Sequence, residues 1–371
     1  MSDLDKTKNE ITTCHHCGQK NQKVDLGKYK KGLCSRCFST IYYDHSKENF
    51  TLAVIYAITA LILFIPANIY PIMTFELVGN EFSITFIQSA ITLQEQGFNF
   101  VSLIIYLTAF VFPIMNSFII IAIYLHKKGI VDFIKIKSLN RVYNFTKKTS
   151  FIEVYLLALL VGYIKLIDIS DVTIHSNIYF FIAYIVFFLL SMNKIHTTQE
   201  YISKKTFKNS YALTFSLLLT GLILYIPANY FTMMHISKFG NISPDTIMSG
   251  IISLANNEML LIAIIVFIAS IVIPLFKLLG MLFILLSMKF NFYNNRINKI
   301  YKLKLYKFIE LIGKWSILDI YMVALLTSLV KEESIAFIEA GSAATYFTLV
   351  ILVTIVATTT FDTKLIWNKN D

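Results

Sequence analysis

Ile65-Pro66-Ala67-Asn68-Ile69-Tyr70 returns 161 residues later as Ile226-Pro227-Ala228-Asn229-Tyr230-Phe231. The same offset carries Pro113 onto Pro274. An offset of 166 carries Glu153-Val154-Tyr155 onto Asp319-Ile320-Tyr321 and Lys165 onto Lys331. Self-similarity at a fixed spacing reads as one unit built twice. Proline and asparagine near the outer end of an apolar run are expected to break the helix and cap its freed backbone groups, a structural role.

Both copies are mostly apolar. The chain is 56% hydrophobic, only 15% charged, and has a mean hydropathy of +0.63. Runs of about 18–25 apolar residues are long enough to cross a bilayer. Eight spans are expected, near 51–73, 100–126, 150–168, 176–193, 211–233, 259–288, 312–330 and 343–361, four in each copy. The fold class is therefore an all-α polytopic membrane protein of two four-helix repeats, 48–195 and 196–371, behind a small N-terminal segment, 1–47. The first apolar run follows about 50 polar residues and is too long for a cleavable signal peptide.

The net charge of +10 invites a nucleic-acid reading, and its distribution argues against one. Nine Lys/Arg precede the first span, seven lie in 127–149, four in 194–210, seven in 289–314 and two in the tail. The alternate loops 74–99, 165–177, 234–258 and 331–342 hold zero, one, one and one. This is the positive-inside pattern with both termini cytoplasmic. The outer loops are half apolar at Phe82-Ser83-Ile84-Thr85-Phe86-Ile87 and Ile247-Met248-Ser249-Gly250-Ile251-Ile252. They read either as short amphipathic helices lying on the membrane or a partner, or as ordinary packed loops.

All four cysteines fall in Cys14-His15-His16-Cys17-Gly18 and Cys34-Ser35-Arg36-Cys37. Two C-x2-C knuckles match the spacing of a four-thiolate zinc ribbon. A reducing cytosol favours metal thiolates over disulfides. Cys14, Cys17, Cys34 and Cys37 are thus expected to hold one metal, zinc or, in a rubredoxin-like variant, iron. Four protein ligands leave no open position, so the metal has a structural role, holding together a ribbon with almost no core. His15 and His16 are read as bystanders.

Ionisable groups inside a span are a functional hypothesis by default. Lys277 is the one basic residue of 33 placed deep in an expected span. It lies 12 residues from Lys289, roughly 18 Å of helix, which makes snorkelling to the surface awkward. Ser270, Pro274 and Lys277 share one helix face. Ser316 and Asp319 share a face on the next span, and Thr354 lies eight residues from Asp362 on the last. Lys277, Asp319 and Thr354 are expected to converge in the cytoplasmic half of the bilayer. Such a set either pins the helices or forms a polar pocket that binds a headgroup or relays protons. The first copy is an internal control: Lys277 aligns with Asn116, Ser270 with Ala109, Thr354 with Phe187 and Asp319 with Glu153. Loss of most of the set from one copy favours a specialised site in the other.

The ribbon, the Pro-Ala-Asn span ends, Ser270 to Lys277, Trp315-Ser316-Ile317-Leu318-Asp319 and Phe361-Asp362-Thr363-Lys364-Leu365-Ile366-Trp367 together resemble the paraquat-inducible protein A family over essentially the whole chain. That family includes the A subunits of envelope lipid-transport systems. The resemblance implies a bacterial inner-membrane protein that works with a periplasmic MCE-domain partner forming a lipid tunnel. It also implies that the polar set Ser270, Lys277, Ser316, Asp319 and Thr354 is functional. Family members often carry a ribbon before each repeat, whereas residues 194–210 here contain no cysteine.

The function expected is a non-enzymatic lipid-transport subunit that loads or receives phospholipid for that partner. No Gly-x4-Gly-Lys-[Ser/Thr] motif is present, so energy would come from a proton gradient, from a partner, or not at all. A buried lysine with a buried carboxylate suits proton coupling. Two alternatives stand beside this reading. One is an ion-coupled transporter of a small solute. The other is a redox membrane protein, which the placement of His126, His175, His196 and His235 at span ends disfavours.

Overall fold

The computed structural model describes residues 11–22, 31–43, 50–77, 80–130, 136–167, 171–194, 210–238, 241–256, 259–290, 295–329 and 336–367. The expected domain boundaries near 47 and 195, most of the basic loop 194–210, and Lys331 lie outside them.

Four short strands come first: β1 (Ile11–Thr13), β2 (Lys20–Gln22), β3 (Lys31–Leu33) and β4 (Thr40–Tyr43), paired β1 with β2 and β3 with β4. One series of elements then occurs twice. In the first half it runs α1 (Phe50–Ile69), β5 (Met73–Leu77), β6 (Asn80–Ile84), α2 (Gln88–Glu95), α3 (Asn99–Ile105), α4 (Phe112–Lys127), α5 (Ile136–Thr149), α6 (Ile152–Ile167), β7 (Asp171–Ile174) and α7 (Asn177–Lys194). In the second it runs α8 (Ser210–Tyr230), β8 (Met234–Lys238), β9 (Asn241–Asp245), α9 (Ile247–Asn256), α10 (Leu260–Phe267), α11 (Ile273–Lys289), α12 (Arg296–Ile312), α13 (Leu318–Leu329), β10 (Ala336–Ala340) and α14 (Ser342–Thr360).

Among the described residues, six helical stretches are long and apolar enough to cross a membrane: Phe50–Ile69, Asn99–Lys127, Asn177–Lys194, Ser210–Tyr230, Leu260–Lys289 and Ser342–Thr360. The expected spans 150–168 and 312–330 appear as α6, of 16 residues, and α13, of 12. Both fall short of the ~20 residues a helix needs to span alone. The chain reaches each of them along an amphipathic helix that reads as basic loop. α12 climbs back along α11: Phe276 and Phe308 rings meet at 6.0 Å, and Gly313 is level with Lys277. A 3₁₀ turn, Gly313–Ile317, then opens into α13. Side chains from Ser316 to Ser328 are all buried, as an all-round apolar helix requires.

α1 packs along α7, and α8 along α14. α6 and α13 pack on each other where the halves meet. In both halves a hairpin and a later strand form a three-stranded antiparallel sheet, β6-β5-β7 and β9-β8-β10. Phe82-Ser83-Ile84 is therefore strand, whereas Ile247–Ile252 is helix. The amide of Gln96 spans the halves. Its Nε2 donates to the Ile338 carbonyl (3.0 Å), and its Oε1 accepts from the Ala340 N–H (3.1 Å).

The prolines of the Pro-Ala-Asn turns do not end their helices. Pro66 and Pro227 lie inside α1 and α8, which continue to Ile69 and Tyr230. Asn68 Nδ2 donates to the Phe64 carbonyl (2.7 Å), and Asn229 Nδ2 to the Tyr225 carbonyl (2.9 Å). The other proline pair sits just past a π turn in each half: Tyr106–Val111 before Pro113, and Ile268–Val272 before Pro274. A proline cannot bond the carbonyl four residues back, and a widened turn absorbs the clash. The Tyr225 hydroxyl donates to the Ile271 carbonyl at 3.1 Å, satisfying an acceptor in the second π turn.

Candidate functional site

The two knuckles are built alike. The Cys14 N–H bonds the Gln19 carbonyl (2.9 Å) and the Cys34 N–H the Ser39 carbonyl (2.8 Å), closing tight turns. The residue after each second cysteine is left-handed: Gly18 at φ +74, where glycine fits, and Phe38 at φ +58. All four sulfurs are buried and lie within 4.8 Å of one another. Hydrogen bonds from Cys14 and Cys17 hold the Cys37 thiol well below its ordinary range, while hydrogen bonds with Cys14 and Cys37 push the Cys17 thiol up. Asn21 ties the knuckles together. Its Nδ2 lies 3.6 Å from Cys34 Sγ, and its Oδ1 accepts from the Ser35 N–H and hydroxyl. Four buried sulfurs in this arrangement fit one tetrahedral metal ion of the zinc or iron class. His15 and His16 are outside the cluster. Burial, with Lys307 and His15 nearby, pushes the His16 imidazole down to about 4, so it is neutral at pH 7 and sits 3.4 Å from Thr363 Oγ1.

The ribbon is docked, not free-standing. Arg296 on α12 donates to the Ser35 carbonyl (2.8 Å), and Lys307 on α12 to Ser39 Oγ (2.8 Å). Arg36 lies over the Trp367 ring at 4.9 Å. α12 therefore links the cysteine cluster to the apolar helices.

Between the halves lies a cavity of about 550 Å³, within the range of ~300–1,000 Å³ typical of ligand sites. Its walls are largely apolar, with Leu107 and Phe112 from the first half and Ile351, Ile355 and Val356 from α14. Lys277 lines it, 2% exposed, with Nζ 3.4 Å from the Gly313 carbonyl and 3.5 Å from Ser316 Oγ. Both contacts are long and neutral.

The sequence-derived set is distributed as follows. Lys277 and Ser316 meet. Asp319, 3% exposed, faces a separate crevice of about 10 Å³, which it shares with Asp245, Thr246 and Met322 beneath the β8–β9 hairpin. That is room for about one water. Ser270 is buried, and its Oγ has no hydrogen-bond partner among the described residues. Thr354 is buried and donates to the Ile351 carbonyl of its own helix (2.8 Å). Glu153 is half-buried at the start of α6. In the first half the place of Lys277 is taken by Asn116, whose Oδ1 accepts from Thr146 Oγ1 at 2.5 Å. One half thus closes a neutral pair where the other directs a cation into a cavity. Sequence reading missed Lys148, Lys307 and Glu310, which also line the cavity. The available signal was the apolar stripe Leu303, Tyr306 and Ile309, which marks α12 as packed rather than loop.

Apolar crossing helices, sheets at one end, a cavity between two similar halves and a four-thiol cluster define a polytopic membrane protein with a metal-site domain docked on it. The chain belongs to the paraquat-inducible protein A family, whose model matches it over residues 51–202 and again over 212–371. It is similar to a Haemophilus influenzae protein named probable intermembrane transport protein, 25% identical over 410 residues, covering 98% of this chain and 96% of that one. The Escherichia coli K12 intermembrane transport protein PqiA is 23% identical over 411 residues, covering 96% and 95%. Lipophilic envelope-spanning tunnel protein A of the same strain is 36% identical over 154 residues, 42% of this chain and 35% of that one. No solved structure matches.

Proposed function

We propose that this chain is the inner-membrane, non-enzymatic subunit of an intermembrane lipid-transport system, loading or receiving phospholipid for a periplasmic MCE-domain partner. The observation that carries the reading is the cavity between the halves. Its apolar walls suit acyl chains, and Lys277 suits a polar headgroup. The names of the relatives support the transport role. In this reading the domains are a zinc ribbon at 1–47 and two repeats at 48–195 and 196–371. α5 with α6, and α12 with α13, each make one broken crossing, giving eight crossings with both termini cytosolic. Such broken helices are tolerated where the irregular backbone lines a cavity. Lys277 and Asp319 lie on two different openings, the cavity and the crevice, with Ser316 on the turn between them. That arrangement suits proton movement from one to the other, so transport is coupled to protons through Lys277, Ser316, Asp319, Ser270 and Thr354.

A photoreactive amino acid at Leu352, on the cavity wall, is expected to capture phospholipid in native membranes. One at Glu81, on the exposed β5–β6 hairpin, is expected to capture a periplasmic protein. Capture of neither would overturn the proposal.

A further inference from the structure

Among the described residues, four charged side chains line the cavity: Lys148, Lys277, Lys307 and Glu310. Glu310 is already engaged, its carboxylate 2.7 Å from Lys148 Nζ. Lys307 donates to a neutral oxygen, Ser39 Oγ, and Lys277 to the neutral Gly313 carbonyl and Ser316 hydroxyl. Three cations therefore face one carboxylate across apolar walls. A buried ammonium without a counter-ion is costly, and the cost falls when an anion enters. A ligand that brings its own cation would leave the excess in place.

Resting on the lipid-cavity reading above, we infer that the cavity selects phospholipids with a net negative headgroup, and that Lys307 and Lys277 bind the phosphate at two successive stations. The stations are stacked along one helix. Lys307 sits on α12 beside the docked ribbon, and Lys277 meets the end of that helix at Gly313. Six residues of helix separate the two levels, roughly 9 Å. A phosphate released by Lys307 thus has a second cation within about one headgroup length, deeper in the protein, while the chains stay against Leu107, Ile351 and Ile355. In the first half the position matching Lys277 holds the neutral Asn116–Thr146 pair.

The test uses the full chain in nanodiscs containing trace photoactivatable phosphatidylglycerol or, in parallel, photoactivatable phosphatidylcholine with the same chains. Phosphatidylglycerol should label the 351–356 wall about tenfold more, the equivalent of one charge-assisted contact. Lys277→Met and Lys307→Gln should each remove most of that preference. Lys307→Gln keeps the test valid if Lys277→Met proves unstable, since Lys307 is only half-buried. Equal labelling by the two lipids would overturn the headgroup inference and leave the lipid cavity standing. No labelling of the wall by either would overturn both. Loss of labelling with millimolar inorganic phosphate would assign the cations to free phosphate and overturn the lipid source.

Discussion

Tyr155 and Tyr321, which occupy the same position in the two sequence copies, pack ring against ring at 5.2 Å and 57° where α6 meets α13. Each hydroxyl anchors in the first half, Tyr155 on Ser89 Oγ (3.0 Å) and Tyr321 with Thr108 Oγ1 (2.8 Å). The seam between the halves is therefore an aromatic pair with two polar fastenings, fully buried.

That seam predicts a graded response. Tyr321→Phe keeps the ring and leaves Thr108 bonded to the Ile104 carbonyl, so it should cost about 1 kcal/mol. Tyr321→Ala opens a cavity at the seam and should cost about 3–5 kcal/mol. Chemical unfolding in detergent, followed at both halves, checks the order.

Metal binding predicts a change at a distance. Elemental analysis should find about one zinc per chain, lost in Cys34→Ser plus Cys37→Ser. Because Arg296, Lys307, Thr363 and Trp367 hold the ribbon, hydrogen exchange should rise in α12 and in 363–367 when the cluster is broken, and stay unchanged in α1. Unchanged exchange in α12 would show that the ribbon is not coupled to it.

The proposed orientation, drawn from the lysine and arginine asymmetry, has a direct test. In a cysteine-free background, a membrane-impermeant thiol reagent should label cysteine at position 81 or 243 in intact spheroplasts. Labelling at 141 or 296 under the same conditions would invert the map.

Gly341 allows a close approach that no other residue can. A Cβ there would lie 2.1 Å from the Thr232 carbonyl oxygen, and its N–H bonds the Met233 carbonyl at 2.8 Å. Backbone cannot yield as a side chain can. Gly341→Ala should cost about 3 kcal/mol or more. Gly162→Ala on α6 meets nothing within 4 Å and should be neutral or stabilising. Thermal unfolding of the pair separates the effects.

The apolar runs at 51–73, 176–193, 211–233 and 343–361 were legible because each crossing is a single uniform helix, and α1, α7, α8 and α14 lie close to those bounds. The runs at 150–168 and 312–330 showed only their apolar halves. Lysines on α5 and α12 gave the approach the appearance of cytosolic loop, although α12 buries Lys299 and Lys302 against the body. The strands Met73–Leu77 and Met234–Lys238 were hidden because they are short, and their pairing to β7 and β10 is set by distant chain. The cysteine cluster was fully readable, since its spacing alone specifies the geometry. Lys277 stood out as a charge in a span. Its cavity did not, because the cavity is made by side chains from both halves. The expected meeting of Lys277 with Asp319 depended on a straight helix, and the 3₁₀ turn at Gly313–Ile317 gives Gly313 and Ile317 to the cavity and Asp319 to the crevice.

The most direct test of the account is Lys277→Met, made in cells lacking the native copy and assayed for envelope barrier function at matched expression. Among the described residues the Lys277 ammonium bonds a carbonyl and a hydroxyl and no carboxylate, so methionine should leave the protein folded and inserted. The account predicts a stable protein that fails to restore the barrier. Full restoration by Lys277→Met would contradict it.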